Sequence, residues 1–157
     1  MRIEYFQLID RIIDLNLNDL TIRVEANVPT ESTIFEGHFP GRPLMPGVLL
    51  IEAMAQASGW LLISAMGFQR MPFLAAVKDA KMRRFVEPGE MLEIVAKIAH
   101  EGSGFAMTKA SVTVNGKLTC ESELTLRVMP FPDPRLRATM EEVAARIGFP
   151  MKALTDG

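Results

Sequence analysis

Residues 47–66 read GVLLIEAMAQASGWLLISAM, a nearly continuous apolar run that spans about five turns when wound as an α-helix. Such a helix carries apolar side chains on almost every side, so the rest of the protein has to enclose it. Gly67, the next residue, is well placed as a left-handed cap at the carboxyl end. We therefore predict one long buried helix at the centre of the fold.

The same run is long enough to cross a bilayer, which is the alternative to a buried helix. Four polar side chains interrupt it, and an unpaired carboxylate in hydrocarbon is costly. They are Glu52, Gln56, Ser58 and Ser64. Because no cationic flank follows the run either, we expect no membrane span.

Extended segments lie on both sides of the run. Residues 11–28 predict two strands around a polar turn, and residues 72–128 predict four more, separated by EPGE, EGSG and NG. Asn115-Gly116 predicts a type I′ hairpin turn. Alternate residues of the last segment are expected to share a buried face: Leu118, Cys120, Leu124, Leu126 and Val128. Strands before and after one buried helix predict an α+β fold, a curved antiparallel sheet wrapped around that helix.

The size and charge of the chain limit what it can be. It has 157 residues, 48% of them hydrophobic, and a net charge of −2 from 17 basic and 19 acidic residues. We predict one domain over residues 1–129, followed by a C-terminal extension over residues 130–157 that is not a separate domain and holds a short surface helix at 136–147. The near-neutral charge and the lack of a helix-turn-helix pattern argue against a nucleic-acid partner.

The start of the chain and its cysteine content favour the cytoplasm. Only Arg2 precedes the first apolar residue, and Glu4 and Asp10 interrupt the apolar residues early, so no secretory signal peptide is predicted. The one cysteine, Cys120, cannot form an internal disulfide, which fits a reducing compartment. Its alternating context indicates a small buried side chain.

The chemistry is predicted where EGHFPGRPLMPG, residues 36–47, meets the helix. Prolines and glycines rule out a regular element through most of residues 29–45 and favour a rigid loop. On this loop His38 is a candidate general base, because imidazole exchanges protons near neutrality. Glu52 lies about one and a half turns into the apolar helix, where desolvation favours the neutral acid that can donate a proton. Gly47 offers a backbone N–H, with no side chain in the way, to a developing oxyanion.

Each of these residues also has a plainer interpretation. A loop histidine such as His38 is most often structural or exposed. A carboxyl such as Glu52 can pair with Arg83 or Arg84 where it enters a core. Gln56, one turn later, can simply hydrogen-bond to Glu52, and the proline-rich loop can be no more than a rigid connector.

The loop and helix together resemble the signature of the FabZ-type 3-hydroxyacyl-[acyl carrier protein] dehydratases, which have the hotdog fold. The family pattern is H-F-P-G-x-P-x-[MF]-P-G-V followed by E-A-M-A-Q, and residues 38–48 and 52–56 fill every place. Asp10-Arg11, residues 85–89, residues 115–117 and Cys120-Glu121 resemble the family in the same order. The resemblance covers about residues 5–128 and leaves out the tail from Pro130.

This resemblance implies dehydration of a (3R)-3-hydroxyacyl group on acyl carrier protein to the trans-2-enoyl product, with no cofactor and no metal. It makes His38 and Glu52 the catalytic pair. The related dehydratase/isomerase branch has aspartate at the helix position, so Glu52 indicates dehydration without isomerisation. Oxyanion or substrate binding is assigned to Gly47, Val48, Gln56 and Phe39. His100, the other histidine, is interpreted as a solvated strand end.

The resemblance also implies an assembly and a binding tunnel. His38 and Glu52 come from different subunits of a homodimer, and three dimers form a hexamer. A tunnel beside the central helix accepts the acyl chain, and the tail caps either that tunnel or the subunit interface. The acyl length stays open, with ordinary, very-long-chain and lipid A acyl chains as alternatives.

The expected partner, acyl carrier protein, is acidic. The densest basic cluster of the chain is the candidate docking surface, with an ordinary solvated strand end as its alternative; it comprises Lys78, Lys81, Arg83 and Arg84. Two rival functions use the same tunnel, an acyl thioesterase and a non-catalytic acyl-binding protein. Neither needs the complete string from His38 to Gly47.

Overall fold

The computed structural model describes residues 1–154, and its centre is a single long helix. A short helix, α1 (Thr33–Gly37), precedes the central helix, α2 (Gly47–Ala65). Thirteen of the 19 residues of α2 are buried. The predicted central helix is therefore confirmed.

One sheet of six antiparallel strands wraps around α2. Its spatial order is β1-β2-β4-β5-β6-β3, so β1 and β3 form the two edges. The strands are β1 (Arg11–Asn16), β2 (Thr21–Asn27), β3 (Arg70–Met82), β4 (Met91–Gly102), β5 (Phe105–Val114) and β6 (Lys117–Pro130). A third helix, α3 (Pro134–Arg146), and two short 3-10 turns (Ile3–Tyr5 and Met151–Leu154) complete the described chain. This is the α+β arrangement that the sequence predicts.

Apolar side chains fill the space between α2 and the sheet. Leu50, Met54 and Leu61 of the helix are almost completely buried, as are Ile94 and Leu124 of the sheet. One polar contact also crosses this layer. The hydroxyls of Ser58 in α2 and Thr108 in β5 lie 2.7 Å apart, and both residues are fully buried. The serine therefore has a partner inside the core, which a polar group there requires.

The helix α2 is long and apolar enough to cross a membrane by length and composition, but 67% of its apolar window is buried inside this domain. Most of its apolar surface is already covered by other parts of the domain. The composition of the run is therefore that of a core helix, in agreement with the sequence-based expectation.

Two turn predictions are confirmed. Asn115 and Gly116 both have positive φ, 51° and 75°, and join β5 to β6 as a two-residue turn, the geometry that a type I′ hairpin requires. Gly67 follows the carboxyl end of α2 with φ of 62°. The next residue, Phe68, donates its N–H to the Ile63 carbonyl at 2.8 Å and so ends the helix.

The predicted alternation along β6 is wrong at its first residues. Leu118 is 37% exposed and Thr119 is only 1% exposed, the reverse of the prediction. Val112 pairs with Cys120 but Thr113 pairs with Leu118, so the register shifts and Thr119 is an extra residue on β6. A bulge of this kind exchanges the two faces of the strand beyond it. Cys120 is fully buried, as predicted, and burial raises the pKa of its thiol to about 11.

The loop before α2 is more regular than predicted, because α1 lies within it. The Ser32 side chain accepts a hydrogen bond from the Ile34 N–H at 3.1 Å and caps this helix. Phe35 on its inner side is buried. The short helix fits because residues 30–39 contain no proline.

The end of the chain packs onto the domain. The structure has α3 where residues 136–147 predict a helix, beginning two residues earlier, with Asp133 as its amino-terminal cap. Ala144, Ile147 and Phe149 join the same core as α2. The strand β6 continues to Pro130, one residue past the boundary that we predict at 129. Residues 155–157 of the predicted extension lie outside the described residues.

We predict that the buried hydroxyl pair stabilises the fold cooperatively. Ser58→Ala or Thr108→Val alone leaves the other hydroxyl without a partner and should lower the free energy of unfolding by about 1–3 kcal/mol. The double variant should lose less than the sum of the two single changes, because no unpaired group remains. Chemical denaturation of the four proteins measures this coupling, and simple additivity would contradict it.

Candidate active site

His38 is held at the carboxyl end of α1 by three hydrogen bonds. Its N–H donates to the Ile34 carbonyl at 3.0 Å, and its carbonyl accepts from the Leu44 N–H at 2.9 Å. Its ring Nδ1 lies 3.0 Å from the Leu44 carbonyl oxygen. A carbonyl oxygen only accepts, so Nδ1 carries the hydrogen of this bond. In the neutral ring Nε2 therefore keeps its lone pair, which is the form that a general base requires.

The loop around His38 is closed by backbone hydrogen bonds. Phe39 and Arg42 each donate an N–H to the other's carbonyl, at 3.0 and 2.9 Å, and Met45 donates to the Val86 carbonyl at 2.8 Å. The rings of His38 and Phe39 stack with 4.1 Å between their centroids. His38 is half-buried, and Phe39 is 50% exposed. The imidazole is therefore fixed in orientation while it remains accessible.

Glu52 is half-buried on one side of α2, and its neighbour Gln56 holds it in place. The Gln56 Nε2 donates to Glu52 Oε1 at 3.1 Å and to the Phe6 carbonyl at 2.7 Å. The Gln56 Oε1 accepts from the Leu8 N–H at 3.2 Å. One amide thus joins the carboxyl to the amino-terminal segment, so the interpretation of Gln56 as a hydrogen-bond partner of Glu52 is confirmed.

The alternative that an arginine neutralises Glu52 is wrong. No ion pair to Glu52 occurs within residues 1–154, and Arg83 pairs instead with Glu121, at 2.6 Å. The hydrogen bond from Arg83 lowers the pKa of the Glu121 carboxyl. The carboxyl of Glu52 is therefore free of a neutralising cation in the described chain.

Glu52 opens into a cavity of about 450 Å³, which we call the Glu52 cavity. Its lining comes from one side of α2, the amino-terminal segment, the beginning of β3 and the helix α3. These residues include Tyr5, Phe6, Glu52, Gln56, Trp60, Ile63, Phe73, Met140, Val143 and Ile147. His38 is not among the lining residues, so one chain does not bring the two predicted catalytic groups together in this cavity.

Gly47 and Val48 are the first two residues of α2, where backbone N–H groups have no partner within the helix. Neither N–H donates to another group in the described chain. A methyl group added at Gly47 would meet the Met82 side chain at 3.4 Å, which is close to ordinary contact. Val48 is 72% exposed. Two free donors thus stand at the positive end of the helix dipole, close along the chain to the His38 loop.

The predicted basic cluster is exposed but partly neutralised. Across the β3–β6 pair, Lys78 lies opposite Glu123 and Lys81 lies opposite Glu121, the residue that also binds Arg83. Lys81 also helps to lower the pKa of the Glu121 carboxyl. The remaining member, Arg84, makes no ion pair with any described residue.

Two further features bear on the site, namely the second histidine and groups that could bind a metal ion. His100 is exposed on β4 beside a register shift, as the sequence predicts for a solvated strand end. No group of three or more His, Cys, Asp or Glu side chains able to hold a metal ion occurs in the described residues.

Sequence reasoning missed part of the cavity lining, namely Tyr5 and Phe6 from the amino-terminal segment and Met140 and Val143 from α3. Motif spacing carries no signal for these residues, because they reach the cavity only through the tertiary fold. The apolar spacing of α3, with Met140 and Val143 three residues apart, was the available hint that one side of this helix is covered.

A family model described as FabA-like domain matches residues 2–123. The curated relatives include the 3-hydroxyacyl-[acyl-carrier-protein] dehydratase FabZ of Rickettsia felis, 38% identical over 125 residues, which cover 78% of this chain and 86% of that protein. The FabZ of Verminephrobacter eiseniae is 39% identical over 134 residues, with 82% of this chain and 89% of that protein covered.

Solved structures show the same fold at low identity. A conserved protein from Pseudomonas aeruginosa aligns with a TM-score of 0.62 and 23% identity over 80% of this chain and 91% of its own. A hypothetical thioesterase with coenzyme A from Streptococcus pneumoniae TIGR4 aligns with a TM-score of 0.60 and 16% identity over 78% and 90%. These likenesses confirm the hotdog fold and, at such identities, nothing beyond it.

We predict that Gln56 fixes the amino-terminal segment against α2. Gln56→Leu removes the acceptor for the Leu8 N–H and should lower the free energy of local opening at Leu8 by about 1 kcal/mol. The amide hydrogen of Leu8 should then exchange about fivefold faster. Hydrogen exchange followed by NMR measures it. Gln69→Leu, which changes an exposed side chain bonded only to the Gly67 carbonyl, is the matched control. Unchanged protection of Leu8 would contradict the assignment.

Proposed function

The chain belongs to the FabA-like domain family and to its FabZ 3-hydroxyacyl-[acyl-carrier-protein] dehydratases, and on that premise we propose how its residues perform the reaction. It is a hydro-lyase of fatty acid biosynthesis that removes water from a 3-hydroxyacyl group carried on acyl carrier protein. One observation carries the assignment of the base: the Leu44 carbonyl holds the hydrogen on Nδ1 of His38 and leaves Nε2 free.

In the proposed reaction His38 Nε2 takes a proton from C2 of the acyl chain. The electron pair of that C–H bond forms the C2–C3 double bond, the C3–O bond breaks, and Glu52 gives its proton to the leaving hydroxyl, which departs as water. The imidazolium and the carboxylate then exchange protons with solvent to restore the starting forms. Each proton transfer is expected to contribute about 10²- to 10⁴-fold to the rate.

The negative charge that develops on the thioester oxygen needs hydrogen-bond donors. We assign this role to the Gly47 and Val48 N–H groups, which have no partner in the described chain and lie at the amino end of α2. A preorganised donor of this kind is worth about 10²- to 10³-fold in turnover. Gln56 orients Glu52, and Phe39, stacked on the imidazole, borders the substrate.

A homodimer would bring the two halves of this machinery together. The edge strand β3 is 13 residues long, and its outer edge is unpaired in the described chain. It exposes large apolar side chains, among them Phe73, Leu74, Val77 and Met82. A long apolar edge strand is a template for pairing with another chain. We therefore assign β3 to the interface, where His38 of one subunit meets Glu52 of its partner.

The larger assembly and the location follow from the family resemblance. Three such dimers would form a hexamer in the cytoplasm, with one hotdog domain per chain at residues 1–129 and the extension packed on it. The acyl carrier protein would dock on the basic cluster of Lys78, Lys81, Arg83 and Arg84. Within that cluster Arg84 is the strongest candidate, because it makes no ion pair in residues 1–154, whereas Arg83 pairs with Glu121.

We predict that His38→Ala and Glu52→Gln each lower turnover by about 10²-fold or more, because each removes one proton-transfer group. Glu52→Gln keeps a group that can accept from Gln56, so the local structure should persist. The assay uses 3-hydroxyacyl and saturated acyl thioesters and follows enoyl absorbance and free thiol separately.

The matched controls for this assay are His100→Ala and Glu101→Gln, which change exposed residues of β4 and should leave turnover unchanged. If either His38→Ala or Glu52→Gln keeps near-parental activity, the catalytic role assigned to that residue is wrong. Thiol release without enoyl product would indicate a thioesterase, and binding without either product would indicate an acyl-binding protein.

We also predict that the two inactive variants complement each other. A mixed dimer has one site with both changes and one intact site, so random exchange should restore about a quarter of the parental activity. Subunit exchange is verified with two mass-tagged chains. Full exchange without recovery would show that His38 and Glu52 do not act across the interface.

A further inference from the structure

The helix α3 lies outside the matched family region of residues 2–123, yet it lines the Glu52 cavity. Its contributions are Met140, Val143 and Arg146, followed by Ile147. We infer that α3 is the far wall of the acyl site and that Met140 and Val143 set the longest acyl chain the enzyme accepts. This inference rests on the proposed function, since it takes the acyl chain of the substrate to enter the cavity at Glu52.

This wall is fixed to the domain. Ile147 and Phe149, directly after α3, are 1% and 5% exposed, and the Ile147 carbonyl accepts a hydrogen bond from the Ile12 N–H of β1 at 2.8 Å. The Phe149 ring lies 5.6 Å from that of Trp60 and 5.5 Å from that of Phe68. Such aromatic contacts add to the apolar burial. The boundary of the cavity is therefore set by packing.

Two of the three α3 residues that line the cavity, Met140 and Val143, suit a hydrocarbon chain, and the third, Arg146, is exposed. Met140 and Val143 are half-buried apolar side chains that pack against the core, and Ala144 beside them is fully buried. The opposite side carries Arg135 and Glu142, both exposed. An acyl chain that grows toward this wall would gain apolar contact with each added methylene. Once its end reaches the wall, a further methylene would clash with Met140 or Val143.

The cavity also has a defined length along α2. Glu52, Gln56, Trp60 and Ile63 all line it, and Glu52 to Ile63 spans about 16 Å of helix axis. That is about half of the roughly 30 Å hydrocarbon core of a bilayer, which two layers of acyl chains fill. The lining along α2 is therefore about as long as one acyl chain of a membrane lipid, so such a chain can lie beside the helix.

The first test compares acyl-length profiles of kcat/KM for enoyl formation. In the double variant Met140→Ala, Val143→Ala, kcat/KM for the longest substrate should rise by about tenfold or more relative to kcat/KM for the substrate that the parental enzyme prefers. The reason is that space for one methylene group in a pocket changes kcat/KM by about that factor. Val143→Phe should move the optimum to shorter chains. Glu142→Ala, on the exposed side of α3, is the control and should leave the profile unchanged. An optimum that stays in place in both the enlarged and the narrowed variant overturns the inference.

A second test detects the chain at the wall without turnover. In the Glu52→Gln background, the thiol introduced by Met140→Cys is alkylated in the presence of 3-hydroxyacyl thioesters of increasing length. The natural thiol does not compete, because Cys120 is buried and its pKa is raised to about 11. Long acyl chains should slow alkylation at least about fivefold and short chains should not, whereas Thr139→Cys, at an exposed position, should show no protection.

The two tests separate failure of the inference from failure of the proposed function. If the parental enzyme forms enoyl product but no acyl length protects the thiol at position 140, the wall is wrong and dehydration stands. If no enoyl product forms from any substrate, the proposed function falls and the inference falls with it.

Discussion

The fold depends on burying one helix whose apolar surface is unfavourable in water. Apolar side chains lie all around α2, and 13 of its 19 residues are buried inside the domain that the six-stranded sheet forms around it. The enclosure is strict enough that the buried hydroxyl of Ser58 needs the hydroxyl of Thr108 as its partner. A sheet that curves around a helix in this way leaves only part of the helix uncovered, and that part carries Glu52 and Gln56. The hydrophobic effect that builds the domain thus also selects the face on which a carboxyl can work.

The polar groups of the site are held by backbone atoms. The Leu44 carbonyl sets which nitrogen of His38 carries the hydrogen, and the Phe6 carbonyl and Leu8 N–H anchor the Gln56 amide that touches Glu52. Backbone groups that are already oriented by the folded chain reorganise little during a reaction, which is what a preorganised site requires. The His38 imidazole and the Glu52 carboxyl are thereby held in defined orientations.

Two surfaces of the single chain lack a partner that the proposed function requires. Among residues 1–154, the apolar edge of β3 has no partner strand, and no imidazole lines the Glu52 cavity. Both needs would be met by pairing two chains along β3, so one interface would remove an aggregation-prone edge and complete the chemistry. The helix α3 closes another side of the cavity, which the family-matched region alone would leave open. Specificity for acyl length would then reside in a segment separate from the catalytic motif.

The sequence by itself determined the central helix, the six strands, the Asn115-Gly116 turn and the string that carries His38 and Glu52. These features depend on periodicity, turn chemistry and motif spacing within short segments, so they can be read without knowing the neighbours. Only the tertiary structure decided the bulge at Thr119 and the association of Glu52 with the amino-terminal segment and α3. The bulge depends on the register between β5 and β6, and the association joins residues far apart in the chain, and no local sequence pattern encodes either of them.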